Sequence, residues 1–566
     1  VSETASAHAA TGSPSGSGRW LLLAYAVSGA AALAYEVAWL RELSTMLGAT
    51  AYASGVMLAA FMTGLGLGTI LGAWISRRSR WGLRDAARAE LAVAAFSVFA
   101  LLGIRYLPGV YFDLMKDMSL SGTAFIGLQF AASFVVMLLP TVAMGTTYPL
   151  IIEAVGRRDV LGSWAGRLYS VNTAGAIVGS LLAGFVLIPS VGVKGCLIAA
   201  AVLSVFASAV FWVLATRLTG APSMLRSPEA VIAPLALVAV ALVPAVSGPP
   251  LGIGQIYYFD SSAEYDLALS SRKILFEDEG IYSRVTVAET GAGLRTLSNG
   301  ALDEGTNSDV DRTTTTMLAV VPAASSENTD SALVVGLGTG YTSQTYQRLG
   351  YEHVVTVEIN PEVVPASEHF VGPIPENDPR WEVVVDDARA HILTSDETYD
   401  TITSEPSWPW SSGVAALFTQ EFMEAAKSRL APGGAYCQWL PNYVLQPKDV
   451  EMMYKTMRQV FPRVDVWAIN FPDDAESELL LIGHVDDRGL AVDRIGRRIA
   501  QLSVPFAKEN PLVTPATISV YSDTAALEEA LDDPSVPLNT DDHSSLEYRV
   551  FWNFVNNALD GQATRR

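Results

Sequence analysis

"ALVVGLGTGYTSQTYQRLGYEHVVTVEIN", residues 332–360, reads as a buried strand, a glycine-rich turn, a helix and a second strand that ends in an acid. The first strand is a short apolar run, as a parallel strand covered on both faces should be. Gly336, Gly338 and Gly340 let the backbone turn tightly and approach a ligand closely. Glu358 closes the second strand 18 residues after Gly340, where an acid is placed to bond ribose hydroxyls. A dinucleotide fingerprint wants its third glycine three places after the second, and that position is Tyr341. The pattern G-x-G-x-G therefore points to a single nucleoside.

Outward from this stretch the chain divides in two. It has 566 residues, 50% of them hydrophobic, with a mean hydropathy of +0.29. Residues 1–249 hold 15 Lys and Arg against 10 Asp and Glu, a net of +5; the remainder carries a net of −26. So acidic a second half argues against nucleic acid as a partner, because phosphate binding needs a basic surface. It is compatible with a cationic substrate such as a polyamine and equally with a solvated acidic face. Two cysteines, Cys196 and Cys437, make neither a disulfide framework nor a thiolate metal site. Asp541, Asp542 and His543 cluster near the end of the chain, too few for a metal centre, and no metal is expected.

Residues 1–18 are rich in Ser, Ala, Gly and Thr and read as a disordered tail without a cleaved-signal pattern. Residues 19–249 then read as a multi-pass transmembrane domain of about seven helices, near 20–40, 51–75, 89–110, 123–152, 168–189, 193–216 and 229–247. Small residues in "FMTGLGLGTILGAW" and "NTAGAIVGSLLAGF" suit close helix packing in lipid. Glu36 lies within the first span, where a carboxylate is costly and is either functional or paired, for instance with Arg41. Arg77, Arg78, Arg80, Arg84 and Arg88 follow the second span, Arg157, Arg158 and Arg167 the fourth, and Arg217 and Arg226 the sixth. The positive-inside rule puts those exits and the chain start in the cytoplasm. Seven crossings would leave the acidic half outside, at odds with a nucleoside made in the cytosol. A cell-membrane location follows, with membrane lipid as a partner and the side of the acidic domain open.

Residues 250–325 read as a small β subdomain, from "ILFEDEGIYSRVTVAETGAGLRTLSNGALDEG". Residues 326–566 read as a doubly wound α/β domain, with "WEVVVDDARAHIL", "YDTITSEPSWPW", "TQEFMEAAKSRL" and "APGGAYCQWL" in order. This sequence of motifs resembles spermidine synthase, the polyamine aminopropyltransferase family, and the whole chain resembles its membrane-fused branch. The resemblance implies a transmembrane domain followed by a Rossmann-like, S-adenosylmethionine-dependent methyltransferase-like domain. It also implies transfer of the aminopropyl group of decarboxylated S-adenosylmethionine to a diamine such as putrescine, giving spermidine and methylthioadenosine.

Carried over by position, the resemblance makes Gly336, Gly338, Thr339 and Gly340 the nucleoside turn and Glu358 the ribose acid. Asp387 with Ala388 becomes the adenine contact, although "DDARAHIL" also suits a helix N-cap at Asp387. On the amine side the chain departs from the soluble pattern. Thr339 stands where an aspartate is expected, and the two strand-end aspartates are matched by Glu405 and Trp408. The expected Tyr-Gln is Tyr282-Ser283, Asp-Gly is Asn299-Gly300, and Tyr-His-Glu is Thr313-Thr314-Thr315. Glu405 is the candidate base or amine anchor. Tyr282, Ser283, Asp303, Asp309 and Trp408 are the candidate amine contacts, with Glu304 and Asp311 in the same acidic stretch and Trp410 beside Trp408.

Two other functions fit parts of this pattern. Thr339 in place of an acid favours ordinary S-adenosylmethionine, whose carboxylate an aspartate would repel, and so a methyltransferase. The glycine-rich spans and Glu36 suit a transporter or sensor whose nucleoside-binding domain only binds. Whether the chain forms a homo-oligomer is not legible in the sequence.

Overall fold

The structure, a computed structural model, describes residues 16–79, 82–118, 122–155, 161–219, 229–245, 249, 251–252, 254–255, 258–300, 302–374, 378, 380–411, 413–471, 474–490 and 492–559. The expected tail up to residue 15, and Arg80, Arg157, Arg158 and Arg226, lie outside them. The chain falls into two compact units. One comprises Val1–Leu47, Tyr52–Tyr111 and Thr123–Val246; the other is chiefly Ser247–Arg566, with the short segments Gly48–Ala51 and Phe112–Gly122.

The first unit is helical: α1 (Gly16–Leu47), α2 (Ala51–Ser76), α3 (Gly82–Asp117), α4 (Gly122–Val155), α5 (Leu161–Leu182), α6 (Ile188–Thr219) and α7 (Glu229–Leu242). Glycines let these helices touch backbone to backbone. A Cβ on Gly175 of α5 would fall on the carbonyl oxygen of Ala26 in α1, and one on Gly179 would fall on that of Ala30. Gly68 of α2 meets Val142 of α4 in the same way. Glu36 is buried within α1.

The number of spans differs from the seven expected. Among the described residues five helical stretches are long and apolar enough to cross a bilayer, the last of them running through Gly162–Leu218. That stretch contains the fifth and sixth expected spans, parted at Gly192, whose φ of 70° and ψ of 172° break the helix. The seventh expected span, 229–247, is described as a helix over Glu229–Leu242, α7, which stops short of the expected end.

In the second unit a short helix, α8 (Ser262–Ser270), precedes an antiparallel meander of β1 (Lys273–Glu279), β2 (Arg284–Glu289), β3 (Arg295–Asn299) and β4 (Leu302–Thr306). Helix α9 (Asp309–Ser325) buries Met317, Leu318, Val320 and Val321 in one core that takes in Val285, Val287 and Leu297 of this meander and Val334, Val354 and Leu480 of the large sheet.

The large sheet comprises β5 (Ser331–Val335), β6 (His353–Glu358), β7 (Trp381–Val385), β8 (Tyr399–Ser404), β9 (Leu430–Leu440), β10 (Arg463–Phe471), β11 (Asp474–His484) and β12 (Ile518–Val520). Its order is β12-β10-β11-β9-β8-β5-β6-β7, with β7, β6, β5, β8 and β9 parallel. Strand β11 slots antiparallel between β9 and β10. Helices α10 (Tyr341–Arg348), α11 (Val363–Val371), α12 (Ala388–Thr394), α13 (Gln420–Ser428) and α14 (Pro447–Val460) follow successive strands. Strand order reverses between β5 and β8, and ligands of such sheets bind outside the carboxyl ends at that point.

Candidate active site

A cavity of about 500 Å³ opens at that switch point. Its floor is the turn after β5. Gly336 (φ 91°), Gly338 (φ 48°) and Gly340 (φ 82°) all adopt left-handed backbone, and Gly340 caps α10 in that conformation. A side chain at Gly336 would press its Cβ to 2.9 Å from the carbonyl oxygen of Glu405.

Glu358, at the end of β6, is buried and fixed by backbone donors: Leu337 N–H at 2.9 Å on Oε2 and Asn360 N–H at 2.8 Å on Oε1. Burial raises its pKa, opposed by these bonds. Asp387 Oδ1 accepts from Ala390 N–H at 2.8 Å, so the N-cap reading is correct, and Asp387, Ala388 and Arg389 also line the cavity. Arg389 is ion-paired to Asp541, with Nη1 at 2.8 Å from Oδ1, and Thr419 Oγ1 donates to the same oxygen at 2.8 Å. Asp541 thus has a structural employment. Among the described residues no group of three His, Cys, Asp or Glu is disposed to hold a metal ion.

Glu405 follows β8 and lines the cavity. Thr342 Oγ1, in the first turn of α10, donates to its Oε2 at 2.7 Å. Burial pushes its pKa up to about 8; the Thr342 bond opposes the shift, and the negative charges of Glu478, Asp311 and Glu304 add to it. Glu304 accepts from Ser407 Oγ at 2.6 Å and Asn299 Nδ2 at 3.2 Å. Burial, with a contribution from Glu358, holds it up at about 7 against those bonds. Asp303 accepts from Ser298 Oγ at 2.6 Å and is likewise raised, chiefly by burial.

Of the sequence-predicted residues, Gly336, Gly338, Thr339, Glu358, Asp387, Ala388, Glu405, Tyr282, Asp303 and Trp408 all line this one cavity. Three stand behind its wall. Gly340 acts through the turn. Ser283 donates to Asn299 and receives a bond from Asn360 Nδ2 at 3.0 Å, which ties the small sheet to the loop after Glu358. Asp309 is corrected to Asp311: Ser308 caps α9, and Asp311, two residues on, reaches the cavity while accepting from Thr306 N–H at 2.8 Å. Trp408 lies edge-on to Tyr443, whereas Trp410 is a buried packing residue against Phe554.

Sequence reading missed Thr342, Trp439, Tyr443 and Glu478, which also line the cavity. Glu478 sits before the apolar run Leu479–Ile482 on β11, and only the strand pairing brings it to the site.

Residues 312–481 match the spermine/spermidine synthase domain family. The chain is 25% identical over 431 residues to a polyamine aminopropyltransferase of Corynebacterium efficiens, covering 74% of this chain and 76% of that protein. It is 29% identical over 201 residues to putrescine N-methyltransferase 2 of Nicotiana tabacum, covering 34% of this chain and 56% of that protein. A probable spermidine synthase from Corynebacterium glutamicum superposes with a TM-score of 0.36 at 17% identity, covering 48% of this chain and 97% of that chain.

Proposed function

We propose that this synthase domain moves the aminopropyl group of decarboxylated S-adenosylmethionine to an acceptor of the diamine class, putrescine being the expected one, and releases methylthioadenosine. The chain is an aminopropyltransferase enzyme; the donor and acceptor are the proposal. The observation that carries it is one cavity that joins a nucleoside turn to buried carboxylates with raised pKa.

In this reading Glu358 takes the ribose hydroxyls, and Asp387 uses the carboxylate oxygen not engaged in capping for the adenine edge. The acceptor's neutral nitrogen attacks the carbon attached to the sulfonium, forming C–N as C–S breaks. The sulfur leaves as a neutral thioether, and the new ammonium gives a proton to Glu405. A carboxylate with a pKa near 8 is a far better base than one near 4.5, and it needs no large adjustment to accept that proton. The cavity supplies proximity; the sulfonium supplies the leaving group.

A second reading, methyl transfer from ordinary S-adenosylmethionine to an amine, is favoured by Thr339 in the turn and by the likeness to a putrescine N-methyltransferase. Supplying each donor separately with a mixture of amines, and identifying the released nucleoside by mass spectrometry, separates the two. Methylthioadenosine supports aminopropyl transfer; S-adenosylhomocysteine replaces it with methyl transfer.

The apolar unit, by this proposal, anchors the enzyme in the cell membrane. Six crossings, α1 to α6, would return the chain to the side from which α1 starts, where the arginines put the cytoplasm and the nucleoside is made.

A further inference from the structure

Resting on the proposed transfer to an amine, we infer that Phe554 is a positioning residue: it fixes the Trp408 indole as the wall against which the acceptor lies, and so sets acceptor affinity from outside the cavity. Phe554 belongs to the helix Ser545–Leu559, which lies beyond the matched segment 312–481. Its ring is fully buried, 4.7 Å from that of Trp410 and 5.9 Å from that of Trp408, the latter edge-on at 69°. Trp408 lies in turn 4.6 Å from Trp410 and 5.7 Å from Tyr443. Of these four rings Trp408 and Tyr443 line the cavity, and Phe554 and Trp410 stand behind them.

The segment that carries Trp408 needs such support. Residues 406–411, Pro-Ser-Trp-Pro-Trp-Ser, follow β8 outside any strand or helix, and the two prolines have no N–H to give. Among the described residues the one backbone bond within the segment runs from Ser411 N–H to the Trp408 carbonyl at 3.0 Å. Where the backbone does not fix a side chain, ring packing must, and ring pairs have preferred geometries. The helix behind it is itself held in place. Asp449 of α14, fully buried, meets Arg549 Nε at 2.8 Å with Oδ1 and accepts from Asn553 Nδ2 at 2.8 Å with Oδ2. Val550 and Phe554, the residue after each of those two, turn into the core. Leu546 N–H donates to Asn539 Oδ1 at 3.1 Å, and the buried Asn539 donates from Nδ2 to the carbonyl of Phe418 at 3.0 Å. The helix packs on α14 and on the turns Val414–Phe418 and Asn442–Val444. The glycine turn and Glu358 belong to β5 and β6, which lie across β8 from β9, so the nucleoside side does not depend on this packing.

The test is a double-variant cycle on the full chain in detergent: Phe554→Leu, Trp408→Ala and the two together. Calorimetry measures putrescine binding to each protein loaded with methylthioadenosine, and methylthioadenosine binding by itself reports that the fold is kept. Phe554→Leu stays apolar but loses the ring contact. Putrescine affinity should fall about two- to tenfold, the range of one aromatic pair, with methylthioadenosine affinity unchanged. Trp408→Ala should lower it at least as far. Adding Phe554→Leu to Trp408→Ala should lower it no further, because a residue that acts through Trp408 then has nothing left to position. In turnover the same loss should appear in the acceptor's KM. Unchanged putrescine affinity in Phe554→Leu, losses that add in the double variant, an equal loss of methylthioadenosine affinity, or no putrescine binding by the native chain each overturns the inference. A cycle that closes as expected upholds it even if no transfer occurs, in which case the proposed reaction fails separately.

Discussion

Thr342 Oγ1 and Glu405 Oε2 are hydrogen-bonded at 2.7 Å, which ties the first turn of the helix after the glycine loop to the acid at the end of β8. The bond stabilises the ionised form of Glu405 and so partly offsets the effect of burial. Replacing Thr342 with Val should therefore raise the Glu405 pKa further. Transfer requires the carboxylate, so the native rate should climb with pH through about 8. The variant's inflection should sit about one unit higher, the scale set by a hydrogen bond to a charged group. Unchanged inflections in a kcat/KM profile would remove Glu405 as the titrating base.

Glu405→Gln keeps the shape of the side chain and deletes the base. A positioned general base contributes about 10²- to 10⁴-fold, so kcat should fall within that range while nucleoside affinity holds. Titration with methylthioadenosine checks the second half of the statement. A loss confined to nucleoside affinity would make Glu405 a binding residue only.

The raised carboxyls also govern stability. Glu405 at about 8 and Glu304 at about 7 hold protons in the folded chain that the unfolded chain releases near 4.5. Their contribution to stability is complete below about pH 4.5 and is lost as pH rises through about 7 and 8. Melting temperatures measured from pH 5 to 8.5 should decline across that window, and less steeply in the Glu304→Gln, Glu405→Gln double variant. Parallel curves for the two proteins would show that these acids are not protonated in the fold.

The glycine turn and Glu358, which line the cavity, were legible in the sequence because they are local. A strand, three glycines and an acid lie within one βαβ unit, so their order in the chain is also their order in space. Glu405 was legible for the same reason, as an acid at a strand end. Glu478 was not: its strand enters the sheet antiparallel between β9 and β10, a pairing that periodicity does not reveal. Asp309 and Asp311 differ only in their phase on α9, and Ser308 as the cap decides which faces the cavity. The long apolar helices were legible in hydropathy, which measures apolar content; it does not show where a helix stops, and α7 ends at Leu242.

Arg389 and Asp541 link the wall of the cavity to a segment more than a hundred residues later. Both side chains remain partly exposed, at 26% and 37%, so solvent screens the pair and it is worth about 1 kcal/mol or less. Asp541→Asn should therefore weaken methylthioadenosine binding by no more than about fivefold. Titration calorimetry measures it. A loss of a hundredfold would mean that Asp541 contacts the ligand itself.

In the helical unit the decisive positions are glycines that carry no chemistry. At Gly175 a Cβ would meet the carbonyl of Ala26, part of the α1 backbone that cannot swing aside as a side chain can. Gly175→Val should therefore force α1 and α5 apart, whereas Gly166→Ala, with open space around its Cβ, should be tolerated. The loss is one of helix packing, since the atom a Cβ would meet is backbone and not a movable side chain. Protease resistance and monodispersity in detergent report on it: the Gly175 variant should be cleaved and aggregate while the Gly166 variant behaves as the native chain. Equal behaviour of the two would mean that α1 and α5 do not rely on backbone contact at Gly175.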